Sequence, residues 1–551
     1  MSWSLAFQLR LQADRMVLRY ILECVETGAP VAGGHALGNP WSLSSWDAVG
    51  TAAINCIDPA TSSMTHGEIT PGQWTRTQGS MTLGLALDED QADLLREKIR
   101  RGQLVQLLVG VDTTDPAQFE PVWLGVVRSL DWSWSAGWRL SLAEAVGGLS
   151  GRLTTSGAAA DLFSGLSETT VASNYTAGNA TIVLTDASGL EQSSAGSGEG
   201  YCILVTPTSG PPFYLIGTVA GNTLTITHRD IWNTDDADAV AGSVVREVAY
   251  TSAHPITIAA RILQSTGAAS NGPADLYPER WGIALPAELF DRDDALNFRS
   301  LVSSEGYTWD MRVTEEQPDA LGWLLDWLRP GGFFLALHQG RITVRAILDA
   351  TLQTPSRIVI EDQHIESIDE YHTWDPDIQV EYARWRATWG DVGTTAAPDP
   401  EADPSGYAAW VAVYGDAING APALGAYTLS ETDTSSRPSA QYLEWSVPDV
   451  WRADHTSALT ADTQVNAWAT DIPARLSPWH LRLPERVVLQ TASFRHARAA
   501  IGDQVLLTTA YVRSRFGAFD ARPGVVLGGG PDWFGGGCRF TLGFPAPIDE
   551  G

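Results

Sequence analysis

Lysine is almost missing from this chain. Lys98 stands alone, and every other basic residue is arginine. Positive charge as a whole is scarce: Lys and Arg number 35 against 65 Asp and Glu, a formal net charge of −30. Tight binding to duplex DNA or to an anionic membrane surface needs clustered cations, so the composition argues against both. Cysteine is also rare. Cys24, Cys56, Cys202 and Cys538 lie far apart with no CxxC pair, which indicates neither a zinc site nor a disulfide framework, and leaves one or two disulfides open. No apolar run approaches the ~18 residues of a membrane helix. The start, with Trp3, Leu5, Phe7, Leu9 and Leu11 at every second position, reads as a half-buried strand and not as the unbroken apolar core of a signal peptide. A chain made in the cytoplasm is expected.

Catalytic signatures are absent too: there is no HExxH, no GxSxG elbow and no GxxxxGK[ST] loop. His364 and His372 are near neighbours without a third ligand pattern. No catalytic, cofactor or metal residue is therefore assigned.

What the chain does have is length, apolar content and tryptophan. At 551 residues it is expected to hold about three to four domains. Its 44% hydrophobic content is enough for real cores despite the charge, and Trp, at 22, outnumbers both Tyr and Phe.

Residues 1–150 are rich in strand signals. Met81, Leu83, Leu85 and Leu87 alternate, as do Trp138, Leu140 and Leu142, and Leu104 to Val111 reads as a strand buried on both faces. One helix interrupts them, capped by Asp88, with Leu94, Leu95, Lys98 and Ile99 on one face and Gly102 closing it. A small polar stretch around residues 150–170 reads as a linker, and residues 171–250 as a compact β unit of short strands. Residues 251–375 form an α+β block. Its helices run from Pro255 to Thr266, from Asp293 to Ser303 with Leu296 and Leu301 inward, and through Leu321, Leu324, Leu325 and Leu328 up to Pro330-Gly331-Gly332. A hairpin turning at His338-Gln339-Gly340-Arg341 follows. Residues 376–551 return to strands, starting at Ile378–Ala383 and running into Trp385 and Trp389. An Ala396–Pro404 loop and an Asp462–Thr470 helix come next, and strands at Val487, Val505, Val525 and Phe540 close the chain.

Three acidic doublets, Asp235-Asp236, Asp293-Asp294 and Glu315-Glu316, contain the residue types of a glycosidase acid/base pair. A doublet alone specifies no geometry, so solvated loops or helix starts are the expected reading. Asn233 to Asp238 resembles a loose calcium loop but lacks the glycine and distal glutamate of an EF-hand. Trp132, Trp134 and Trp138 cluster around one hairpin turn. Such a cluster can stack on a sugar, but tryptophan buries a large area and is favoured at interfaces, so these three are the interface candidates.

Four stretches in order resemble the hub, or tail-tip, proteins of tailed bacteriophages and of phage-like gene transfer particles. Ile226-Thr227-His228-Arg229-Asp230 through Val248 is similar to the end of a small β domain inserted in such hubs. Pro255 to Ile258, Asn271-Gly272-Pro273 and Trp281 to Pro286 resemble a helix, NGP, WG-x-x-x-P passage. Leu328 to Val344 resembles the hub core hairpin, and Ile501 to Thr508, with Pro531-Asp532-Trp533 and Phe540-Thr541-Leu542, resembles the final β unit. The sequence departs from some hubs in having no lysozyme-type or peptidase insert and no long fibre region.

The resemblance implies a β-rich α+β multidomain fold with split β-barrel hub domains: an N-terminal split-barrel hub domain at 1–150, an inserted small β domain at 171–250, an α+β hub domain at 251–375 and one or more C-terminal β-rich hub domains at 376–551. It implies a structural, non-enzymatic virion protein without cofactor. It further implies a homotrimer on a distal tail protein or tail tube ring, touching the tape-measure protein and anchoring fibres or a spike. DNA would pass through it without specific binding. Such particles are assembled in the host cytoplasm. A carbohydrate-active enzyme or carbohydrate-binding module, and a hexameric distal tail protein, are the rival expectations.

Overall fold

The computed structural model describes residues 3–13, 16–25, 41–46, 53–70, 74–148, 166–190, 201–229, 234, 236–264, 285, 287–302, 309–314, 320–350, 357–373, 382–386, 423–428, 442–446, 475–476, 479, 484–514 and 517–545. They form a β-rich molecule with several sheets and few helices.

The first sheet has eight strands. Their spatial order is Ile54–Asn55, Ser42–Ser44, Leu18–Cys24, Leu104–Val111, Glu120–Ser133, Gly137–Glu144, Ser80–Leu85 and Ile57–Thr65. The apolar run Leu104–Val111 lies centrally, as its composition demands, and is buried along most of its length. The helix Glu89–Lys98 carries a complete capping box: Asp88 accepts from the Gln91 amide at 2.8 Å, and the Gln91 side chain accepts from the Asp88 amide at 3.2 Å. Leu95 and Ile99 enter the core, while Leu94, expected beside them, is exposed.

The start of the chain is a helix, not the expected strand. Ser4 caps Leu5–Arg10, and Trp3, Phe7 and Leu11 are buried, whereas Leu5 and Leu9 are 70% and 58% exposed. Apolar residues at every second position also contain a series at every fourth. On a helix, residues 3, 7 and 11 share one face and residues 5 and 9 fall opposite. The pocket waiting for Trp3 decides between the two: its ring meets Phe7 at 5.1 Å and Trp533 at 6.0 Å.

The second sheet has six strands, in the order Glu168–Thr170, Val244–Glu247, Tyr201–Thr206, Phe213–Ala220, Thr223–His228 and Thr181–Val183. It closes its own core around Val205, Phe213, Leu215 and Leu224.

The helical block that follows shares one core with Leu104, Leu124 and Val126 of the first sheet and with Val525 and Leu527. Pro255–Gln264 is buried on all sides, as its Ile and Ala content requires. In Arg292–Val302, Ala295, Phe298 and Val302 face the core, and Leu296, expected inward, is 37% exposed. Ala320–Leu328 ends where Gly332 adopts a left-handed φ of 68°. The strands Phe333–His338 and Arg341–Ala346 pair through a two-residue turn with Gln339 at φ 49° and Gly340 at φ 71°. A Cβ at residue 340 would sit 2.6 Å from the Pro121 carbonyl carbon, so only glycine lets this turn lie on the first sheet.

The final sheet orders Ile358–Glu361, Gln504–Ser514, Gly517–Pro531, Cys538–Phe544, Glu485–Thr491 and Ile365–Thr373. It shares one hydrophobic core with the first sheet. Leu83, Val105, Leu107 and Leu140 pack in the same cluster as Leu489, Val505, Phe540 and Leu542. The Tyr20 hydroxyl donates to the Trp533 carbonyl, and Glu68 bridges to Gly528, where a Cβ would sit 2.8 Å from that of Glu68. Tyr382–Arg386, Ala423–Thr428 and Tyr442–Ser446 form a small separate sheet. Residues 378–381, Trp389, the 396–404 loop and the 462–470 helix lie outside the described residues.

The four cysteines are free and buried, which removes the disulfide alternative. Burial pushes the Cys56 and Cys538 thiols up to about 12. Among the described residues, no helix is long and apolar enough to cross a membrane.

Candidate functional site

The strands Glu120–Ser133 and Gly137–Glu144 form a hairpin that outruns its core. Val122 to Val127 are buried, but from Arg128 onward the strand emerges, and Gly137 at φ 68° helps to reverse the chain. The emergent end carries the tryptophans. Trp132 is 48% exposed and Trp134 is 93% exposed, with ring centroids 4.9 Å apart at 66°, an edge-to-face pair. Trp138 faces Trp132 across the ladder and is half-buried, with the Arg96 guanidinium 4.6 Å from its ring centroid. Two of the three candidates thus form one aromatic prong facing solvent, and the third braces its base within the chain. Large aromatic area left open to solvent is a feature of interaction surfaces.

A second constellation went unread in the sequence. The buried Arg345 side chain makes two bonds to Asp294 at 2.8 Å each, one to Asp503 at 3.1 Å and one to the Ile501 carbonyl at 3.0 Å. Thr343 donates to Asp294 at 2.9 Å, and His338 Nδ1 lies 2.8 Å from Asp291. Burial acts to raise the Asp294 carboxyl, but Arg345 and then His338 outweigh it and hold the group below its ordinary range. At Asp503 burial wins, and its carboxyl lies above that range despite Arg345. A cleft of about 380 Å³ opens beside the cluster, with Gln12, Asn297, Arg495 and Arg498 on its walls. Each arm of the guanidinium is committed, so the arrangement serves to tie helix Arg292–Val302, the 341–346 strand and the 501–503 turn together. The Asp293-Asp294 doublet was visible as a candidate acid pair. It is a helix start as expected, yet the Asp294 side chain is only 9% exposed, and its partner Arg345 lies 51 residues away, beyond any local spacing rule.

The remaining candidates separate in space. Asp236 accepts from the Tyr175 hydroxyl at 2.7 Å and the Gly178 amide at 2.8 Å and pairs with Arg229 at 3.4 Å, so it fastens a turn of the second sheet. Asp235 and Glu315-Glu316 lie outside the described residues. His364 stacks edge-on against His496 with centroids 5.2 Å apart, while His372 ends up at the far end of the Ile365–Thr373 strand. Among the described residues, no group of three or more His, Cys, Asp or Glu could hold a metal ion.

No protein-family model matches the chain, and a search of the curated proteins finds no relative. Several solved structures bear a distant likeness. One is a prophage tail protein, gp18, from Listeria monocytogenes EGD-e, 8% identical over 95% of this chain and 94% of that one, with a TM-score of 0.30. Another is in the virion of a native gene transfer agent particle, 14% identical over 44% of this chain and 84% of that one, with a TM-score of 0.17.

Proposed function

We propose that the chain is a structural component of a phage-like tail tip, a hub that assembles as a homotrimer and does not act as an enzyme. The observation that carries this reading is the prong of Trp132 and Trp134. A protein of −30 charge that nonetheless holds two indoles out in water has a partner surface to bury them against. The common core of the first and last sheets supports it, because two sheets closing on one core suit the split barrels that the sequence resemblance implies. In this reading the modules run 1–150, 171–250, 251–375 and 376–551. The trimer joins a tail tube or distal tail ring to fibres or a spike and meets the tape-measure protein. The assembly is a virion part put together in the host cytoplasm. Its acidic surface lets DNA slide through without sticking, since phosphates are repelled.

Light scattering and electron-microscopy class averages test the proposal, with a three-fold particle of three chains expected. Trp134→Ala is expected to weaken assembly while leaving the unfolding midpoint of the single chain in place. A six-fold ring would favour a distal tail protein. A monodisperse monomer that loses affinity for a polysaccharide on Trp134→Ala would replace the hub with a carbohydrate-binding module, the reading that the same exposed indoles would then favour.

A further inference from the structure

Among the described residues, three buried hydrogen-bond donors from separate elements have no acceptor: Arg76 Nε, Trp123 Nε1 and Gln339 Nε2. All three residues line one cavity of about 40 Å³ between the first sheet, the 339–340 turn and the final sheet. Their orientations are set by other bonds. Gln339 Oε1 accepts from the Trp3 amide at 2.8 Å, which leaves its Nε2 as the outward donor. Arg76 gives Nη2 to Glu144 Oε1, and the other Glu144 oxygen accepts from the Gly79 amide at 3.0 Å, so that carboxylate is occupied at both ends. An indole N–H can only donate. Trp123 is locked in place, because a Cβ on Gly125 would fall 2.0 Å from its ring.

We propose that this cavity binds a small monovalent anion of the halide class. Three orphan donors need an occupant that accepts from several directions. A water accepts but must still place two protons of its own, whereas an anion has none to place. The volume exceeds the ~10–15 Å³ that a water-sized occupant requires. The charges on the cavity wall permit it: Glu144 balances Arg76, and Arg498 adds a further cation, its Nη1 resting on Gln8 at 3.1 Å. His66 Nε2 lies 3.0 Å from the Pro531 carbonyl, which can only accept, so Nε2 carries its proton, and burial holds the imidazole below its ordinary range. The anion would bridge the parts of the chain that form the common core, and so act as a structural ligand.

The test uses the full chain, with unfolding followed in potassium chloride and in potassium gluconate at equal ionic strength. Chloride is expected to raise the midpoint by about 1–3 °C and to broaden the chlorine NMR line in proportion to protein. Gln339→Glu supplies a fixed carboxylate to the same donors and is expected to abolish both effects. Trp123→Phe removes one donor and is expected to shrink them. Equal midpoints in the two salts with no broadening would assign the cavity to water and overturn the proposal. A Gln339→Glu chain that keeps the full chloride effect would place the anion elsewhere and overturn it equally.

Discussion

Glu68 and Arg486 hold each other through two parallel hydrogen bonds, Nε to Oε1 at 3.0 Å and Nη2 to Oε2 at 2.9 Å, across 418 residues of sequence. The pair joins the two large sheets at the place where Glu68 bridges to Gly528. Arg486 spends its third arm on Glu370 at 2.6 Å, at the exposed rim. Glu68→Ala is expected to lower stability by about 1–2 kcal/mol, and Glu370→Ala by under about 0.5 kcal/mol, read from urea midpoints. Equal costs would show that the paired geometry adds nothing.

The Arg345 cluster makes a stronger prediction. Arg345→Met leaves Asp294 and Asp503 buried without their cation, and is expected to cost about 3–5 kcal/mol. Replacing Asp294 and Asp503 with Leu in the same chain removes the stranded charges and is expected to recover a large part of the loss. Thermal unfolding of the single and triple variants measures both. A triple variant no better than the single one would mean that the ions specify packing beyond their charge balance.

The helical start is checked by a contrast between neighbours. Phe7→Ala is expected to cost about 3–5 kcal/mol through the cavity it leaves. Leu5→Glu and Leu9→Glu, on the exposed face, are expected to stay within about 0.5 kcal/mol. A strand would put all three side chains on one face and make the three changes comparably costly.

Two histidines set an acid-side dependence. Burial first, then His364 and Arg495, push His496 down to about 4, and burial with Arg299 and Arg475 pushes His254 down to about 3, from an ordinary value of 6.5. The unfolded chain takes up these protons as pH falls through 6.5, while the folded chain refuses them until about 4 and about 3. Their contribution is therefore complete above about pH 6.5 and declines steadily as pH falls through that window. Urea midpoints measured against pH check this, and His496→Gln is expected to flatten the slope between about 6.5 and 4. An unchanged slope would show that His496 is protonated in the fold.

How much was legible in advance follows from the range of each signal. The helix cap at Asp88, the turn at Gln339-Gly340, the alternation of Met81, Leu83 and Leu85, and the Trp132–Trp134 cluster are local. A few adjacent residues carry each, so the sequence by itself determined them. The N-terminal segment held two periods at once, and the sequence had no means of ranking them. The aromatic pocket formed with Trp533 does the ranking, 530 positions further along the chain. The same holds for Arg345 with Asp294 and Asp503, for Glu68 with Arg486, and for the three donors around the small cavity. Each brings together groups far apart in the chain, and each became chemistry only when the sheets and the helical block closed on their cores. Burial at that closure turns polar groups that would be unremarkable in water into committed partners, because an unpaired charge or donor there is costly. Local pattern thus specified the elements, and the tertiary structure alone decided which of their side chains meet.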